Sequence, residues 1–433
     1  MEREARMQES SPAAPSGASS RSIYEQYIDR SWRVWAERAR GRGPDFVVGR
    51  REGPYVWDLE GDRRLLDCAV GGGVHSLGHR NPEVLAALRR AIGEDGLDGG
   101  LWTFPSVAML GLQDALAATA PHPSLDRSVI TLSSTASIDL AIQMVSLLTG
   151  KQRVAAYRHG YHGHAGFAAM VTGSREEGII DYYGQPNPVA SFFEPYGDLD
   201  AVAAVLDDGI GAVILEPFDY ETWIPASANY LLGVRRLCDE RGALLIVDET
   251  RTGLGRSGRL WMCELTGVVP DMLITGKGLS GGLYPVSAVL TTAAIYDRCI
   301  NGHPFAFASS LGGNEIACTI GQAVLGICGS EALKANVAAL SARFAMRFGD
   351  LCDRYPEVYT PGTVCGGIAT IGVVNPDDAP AIAAHLFGRG VLCHSISLVD
   401  PVLVKFFPVL TADPAIADEV AAALGDAAAR AAS

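Results

Sequence analysis

Three apolar runs end in residues that can do chemistry. Residues 212–215 lead into Glu216-Pro217, 243–247 into Asp248-Glu249, and 272–275 into Gly276-Lys277. In an open α/β sheet the carboxyl ends of the strands line one crevice, the usual ligand site, so two acids and a lysine are expected to meet there. A solvated surface lysine is the ordinary fate of the residue type. Lys277, however, sits within Thr275-Gly-Lys-Gly-Leu-Ser-Gly-Gly-Leu283, directly after an apolar run, where a solvated chain end needs no such density of small neighbours. The segment is not a P-loop, because no Gly lies five residues before Gly276 and neither Ser nor Thr follows Lys277. A partly desolvated lysine has a lowered pKa and forms an imine with an aldehyde.

Asp248 alone reads as a helix cap or a structural ion pair. Beside an imine-forming lysine it gains a sharper role, as the carboxylate that keeps a pyridine nitrogen protonated so that the ring withdraws electrons from a carbanion. A phosphate site is at hand in Leu132-Ser-Ser-Thr-Ala-Ser137. It follows an apolar run and opens a helix whose apolar face is Ile138, Ala141, Ile142, Val145 and Leu148, ended by Gly150. Hydroxyls and free N–H groups at a helix N-terminus bind a phosphate dianion, although such a run by itself is more often a plain N-cap. In His159-Gly-Tyr-His-Gly-His164 no cysteine or carboxylate accompanies the three histidines, which argues against a metal. Tyr161 there suits stacking on a cofactor ring.

These residues need elements to position them. From about residue 85 to 325 short apolar runs at 128–132, 153–157, 212–215, 243–247 and 272–275 alternate with helical segments. Runs without period-2 alternation are strands covered on both faces, so the sheet is expected to be mostly parallel. The segment 229–241 is predicted helical, with Leu231, Val234 and Cys238 on one face and Gly242 at its end. Before this region, Tyr24, Ile28, Trp32 and Trp35 fall on one helical face, and a strand and turn follow at 55–61. After it come a helical stretch, a Gly-rich region around 362–367 and short strands. The last helix is signposted by Asp413 as N-cap, Pro414 at the first position, and Ile416, Val420 and Leu424 four apart.

Composition narrows the function classes. With 48% hydrophobic residues in 433, and 49 glycines that follow no period, the chain is neither disordered nor fibrous. A net charge of −14 argues against nucleic-acid polymers and anionic membranes as partners. No window reaches the ~18 apolar residues of a membrane span. Residues 1–20 lack an apolar signal core and read as a disordered tail. Nine cysteines scattered without a CxxC pair fit free thiols in a cytoplasmic protein.

Taken in order, Tyr55-Val-Trp-Asp-Leu-Glu-Gly61, Leu77-Gly-His79, Tyr161-His-Gly163, Glu216-Pro217, Asp248-Glu-Thr-Arg-Thr-Gly-Leu-Gly-Arg-Ser-Gly258, Gly276-Lys-Gly-Leu279 and Gly313-Asn314 carry a resemblance. From about residue 45 to 425 the chain resembles the class III aminotransferases. These are pyridoxal 5′-phosphate (PLP) enzymes of fold type I that include ornithine and other ω-aminotransferases and glutamate-1-semialdehyde aminomutase. The resemblance implies an α/β fold, with a large PLP-binding domain at 85–325 and a smaller α+β domain built from 21–84 and 326–433. It implies that Lys277 holds PLP as a Schiff base and shuttles the proton, that Asp248 pairs with the pyridine nitrogen, and that Tyr161 and Thr250 cover the two ring faces. Glu216 joins the cofactor site. Ser134 and Thr135 would bind the phosphate, helped by Ser310 from a neighbouring subunit, which implies a homodimer with a shared site. The substrates implied are a small amine or amino acid and an oxo acceptor.

Four positions depart from the family pattern. Ser133-Ser-Thr-Ala-Ser137 stands for Ser-Gly-x-Glu-Ala, and Asp219-Tyr-Glu-Thr222 for Gln-Gly-Glu-Gly. Lys405 replaces an arginine that grips a substrate carboxylate in several relatives, without the bidentate fork. Gly71-Gly-Gly73 stands where the aminomutases carry an aromatic residue over the substrate, so Gly72 is expected to border a pocket for a bulkier substrate. Transamination is the leading reading. The alternative is another PLP reaction of specialised metabolism on the same scaffold, an aminomutase, racemase, decarboxylase or carbon–carbon bond-forming enzyme. A dinucleotide-binding oxidoreductase is disfavoured, since Gly253-Leu-Gly-Arg-Ser-Gly258 begins too far beyond its strand. So is a cofactor-free binding protein, since Lys277, Asp248 and Tyr161 are all present.

Overall fold

The structure, a computed structural model, describes residues 19–30, 45–101, 103–173, 187–303, 309–397 and 402–431 and the single positions 33, 37 and 306. A meander of β1 (Val48–Glu52), β2 (Tyr55–Asp58) and β3 (Arg64–Cys68) precedes the central sheet. That sheet contains β4 (Arg127–Thr131), β5 (Arg153–Tyr157), β6 (Ala190–Phe193), β7 (Ile210–Leu215), β8 (Leu244–Asp248), β9 (Met272–Thr275) and β10 (Ser287–Thr291). Their order is β4-β10-β9-β8-β7-β5-β6. All neighbours from β9 to β6 are parallel, and β10 runs antiparallel to both β9 and β4. The sequence reading missed β6 and β10. A parallel return needs a long crossover, and residues 276–286 are too short for one, so the chain reverses at the carboxyl edge of β9 and holds Lys277 there.

Burial on both faces accounts for the unbroken apolar runs. Val213, Leu215, Leu245 and Val247 pack in one layer with Leu231, Val234 and Cys238. Ala212, Ile214 and Ile246 pack in the other with Ile138, Ala141 and Val145. The flanking helices begin and end on local signals. Ser133 accepts a hydrogen bond from the Ala136 N–H at the start of Ser134–Thr149, and Gly150 ends that helix at φ 71°. Ser227 and Gly242 (φ 59°) bracket Ala228–Arg241 in the same way.

A second unit joins both ends of the described chain. Leu66, Cys68 and Val70 share a core with Phe344, Phe348, Ile368, Ile371, Phe406 and Leu424. Its antiparallel sheet has the order β11 (Tyr359–Cys365), β12 (Ile368–Val373), β15 (Leu403–Phe406), β14 (Ser395–Ser397), while β13 (Val391–Cys393) pairs parallel with β3. Two expectations need adjustment. The opening helix starts at Ser20, inside the span expected as a tail, and the Ser20 hydroxyl donates to Glu60 at 2.6 Å; positions 1–18, Trp32 and Trp35 lie outside the described residues. The final helix is Ile416–Ala431. Asp413 caps a preceding turn instead, accepting from the Ala415 N–H at 2.8 Å.

Candidate active site

Lys277, Asp248, Tyr161, Ser134, Thr135 and Thr250 all line one cavity of about 420 Å³. The three chemical groups come from the carboxyl edge of the sheet, and Ser134 and Thr135 from the first turn of the helix after β4. Ser133 caps that helix, which leaves the Ser134 and Thr135 N–H groups without an intrahelical partner. Two glycines open the space around the hydroxyls. A Cβ at Gly276 would lie 2.2 Å from Ser134 Oγ, and one at Gly163 would lie 2.7 Å from Thr135 Oγ1.

Lys277 adopts φ 41°, a left-handed conformation that is uncommon for a residue with a Cβ and that aims the chain sharply out of β9. Loss of water pulls its ammonium down to about 7, and the neighbouring Arg251 charge adds to the effect. Asp248 is the opposite case. Burial pushes its carboxyl up, but His162 Nδ1 at 2.8 Å and the Thr250 N–H at 3.0 Å outweigh burial and hold it below the usual carboxylate range. His162 is thereby occupied by a carboxylate.

Other expected residues stand elsewhere. Glu216 lies behind the cavity wall: it accepts from the Tyr161 N–H at 3.1 Å and faces Arg251 Nε at 3.7 Å, so it supports the tyrosine loop. Lys405 is buried, and its ammonium donates to the Tyr220 and Glu221 carbonyls at 3.2 and 2.5 Å; it is not a cavity-lining residue. Ser310 is exposed and lines a different hollow of about 300 Å³ with Leu101, Phe104 and Glu315. Gly72 is beside the site for a more specific reason than room. At φ +66° it favours glycine, and a Cβ there would lie 3.3 Å from Lys277 Nζ and 3.6 Å from His394 Nε2.

Sequence reasoning missed Arg251, His162 and His394. Arg251 lines the cavity, is only 6% exposed, and packs against the rings of Tyr220 at 4.2 Å and Tyr161 at 4.9 Å. Its Nε, which faces Glu216, and its Nη1 make no hydrogen bond among the described residues. The signal was its position three residues past Asp248, where a buried cation faces the same crevice.

The residue set fits PLP. Ser134 and Thr135 with a helix terminus suit a phosphate, the cradle kept open by Gly276 and Gly163 admits it, Asp248 suits a protonated ring nitrogen, Tyr161 offers a ring face, and Lys277 offers an amine for an aldehyde.

Comparison with known proteins agrees. Residues 38–428 match the family described as aminotransferase class-III. An uncharacterized aminotransferase of Archaeoglobus fulgidus is 36% identical over 81% of this chain and 80% of its own length. The acetylornithine aminotransferase of Pseudomonas putida is 31% identical over 86% and 90%, and the putrescine aminotransferase of Pectobacterium atrosepticum 30% over 86% and 80%. In fold, the ornithine aminotransferase of Toxoplasma gondii superposes with a TM-score of 0.84 at 22% identity, covering 96% of each chain. The chain belongs to the class III aminotransferases, PLP-dependent enzymes of fold type I.

Proposed function

We propose that this aminotransferase moves an amino group between a small primary amine or amino acid and an oxo acceptor at the Lys277 cavity, with Lys277 as the residue that holds the cofactor and carries the proton. The reading rests above all on a lysine amine pulled down to about 7 in the same cavity as an ionised, His162-bound aspartate. Bound PLP supplies an electron sink for negative charge at the carbon that carries the amino group. Above pH ~7 Lys277 Nζ is neutral and able to accept a proton, and its protonated form returns one to the same region. Asp248 Oδ1 and Oδ2, kept ionised, hold a proton on a basic nitrogen facing them. Tyr161, fixed through its N–H to Glu216, shields one side of the cavity from water. The relatives named for acetylornithine and putrescine put terminal primary amines first among the donors to test.

The proposal includes a homodimer. Leu101, Phe104, Val107, Leu110 and Leu311 are more than half exposed around the Ser310 hollow, and an apolar patch of this kind marks an interface. It also places the enzyme in the cytoplasm, where nine free cysteines stay reduced. Purified protein is expected to absorb in the visible, to lose that band on borohydride reduction, to lack it as Lys277→Ala, and to convert it on addition of a donor amine. A wild-type protein that stays colourless with added PLP refutes the assignment. Val107→Asp is expected to shift the sedimenting species toward monomer.

A further inference from the structure

Beside Gly72, at the same point that Lys277 approaches, stands a second nitrogen that the transfer reaction does not use. His394 Nε2 and Lys277 Nζ both lie within contact distance of the point where a Gly72 Cβ would be, at 3.6 and 3.3 Å, so they border one gap. The imidazole is held firmly. Its Nδ1 pairs with Ser395 Oγ at 2.9 Å, its backbone N–H donates to the Lys405 carbonyl at 2.8 Å, and its ring packs edge-on against Trp223 at 5.1 Å and Phe407 at 5.0 Å.

We propose that His394 is a substrate-contacting, specificity-determining residue whose Nε2–H donates a hydrogen bond to a carboxylate of the substrate beside Lys277. The inference rests on the transfer reaction proposed above and names the acidic class of compound it acts on. Donation from His394 assigns the ring proton to Nε2, the nitrogen at the gap, with the Ser395 hydroxyl as donor to Nδ1, a direction that the pair at 2.9 Å allows. Desolvation first, and then the charges of Arg251, Lys277, Lys405 and Arg256, push the imidazole well below its usual range, so it stays a neutral donor at physiological pH. Of these, Arg251, Arg256 and Lys405 favour an anion next to it. Arg251 in particular presents an Nη1 group that makes no hydrogen bond among the described residues, while its Nε faces Glu216 at 3.7 Å.

The test uses the holoenzyme and glutarate, a dicarboxylate with no amino group to transfer, with binding measured by calorimetry. In His394→Phe, which keeps a ring against Trp223 and Phe407, glutarate affinity is expected to fall about tenfold or more, the scale of one hydrogen bond to a charged group. In His394→Gln, which keeps an N–H donor, it is expected to stay within about threefold of wild type. Ser395→Ala, which only frees the ring, is expected to fall between the two. Absence of glutarate binding by the wild type, or unchanged affinity in His394→Phe, overturns the inference. Failure of the amine-driven spectral change refutes the transfer reading separately, because glutarate binding does not depend on turnover.

Discussion

Replacing His162 with phenylalanine isolates what holds Asp248 in its ionised form. The two side chains are 0% and 2% exposed and meet at 2.8 Å, so no water can substitute for the lost nitrogen. The Thr250 N–H at 3.0 Å remains, while burial continues to push the carboxyl up. A hydrogen bond to a buried charged group contributes about 1.5–3 kcal/mol, which at ~1.36 kcal/mol per pKa unit corresponds to a rise of about one to two units at Asp248. Because the ionised form is the one that holds a protonated ring nitrogen, activity falls as pH falls, and in the variant that fall begins at a higher pH. The assay is kcat/KM for a donor amine from pH 5 to 9, with the dissociation constant of PLP measured at the same pH values. The acid limb is expected to move up by about one to two units, and Asp248→Asn is expected to lose the limb altogether. A folded His162→Phe protein whose acid limb coincides with that of the wild type refutes the reasoning.

Two substitutions and one pH dependence probe neighbouring parts of the site. Gly276→Ala places a methyl group 2.2 Å from Ser134 Oγ and 2.7 Å from Ser287 Oγ, an overpacking cost of about 1–3 kcal/mol; PLP affinity should drop accordingly in a reconstitution titration, and unchanged affinity removes the cradle argument. Arg256 donates to the carbonyls of Gly367 and Pro408 and to Ser76 Oγ, and Ser76 in turn donates to the Gly73 carbonyl. Arg256→Met leaves those groups buried without a donor, and urea unfolding is expected to report a loss of about 2–4 kcal/mol. The apoprotein should take up PLP at a rate that is half-maximal near pH 7, where Lys277 loses its proton (about 7); a midpoint above pH 9 contradicts a desolvated amine.

Much of the cofactor site was legible because its signals are local. An apolar run that cannot alternate is a buried strand, the residue after it lies at the carboxyl edge, and a serine before a helix caps it whatever the rest of the chain does. Lys277, Asp248, Ser134 and Thr135 inherit their places from those short-range rules. The substrate side was not legible in this way. Lys405 was expected at the carboxylate because it is a cation in an arginine's position, but in the structure two backbone carbonyls engage its ammonium, and a single-sequence pattern carries no record of which carbonyls come near.

What the amino-acid sequence determined by itself, then, was the buried parallel strands and capped helices around the site, the family, and the catalytic groups attached to strand and helix ends. Tertiary structure alone decided which strand lies beside which, that β10 returns antiparallel and confines Lys277, and that Glu216 supports the Tyr161 loop. It also decided that Gly72 and His394 meet. They do so because β13 pairs with β3, Cys393 opposite Cys68, bringing the two ends of the described chain to one gap. The physical reason is that capping and periodicity act over a few residues, whereas strand partners are selected by burial of whole faces, a sum over contacts that no local segment contains.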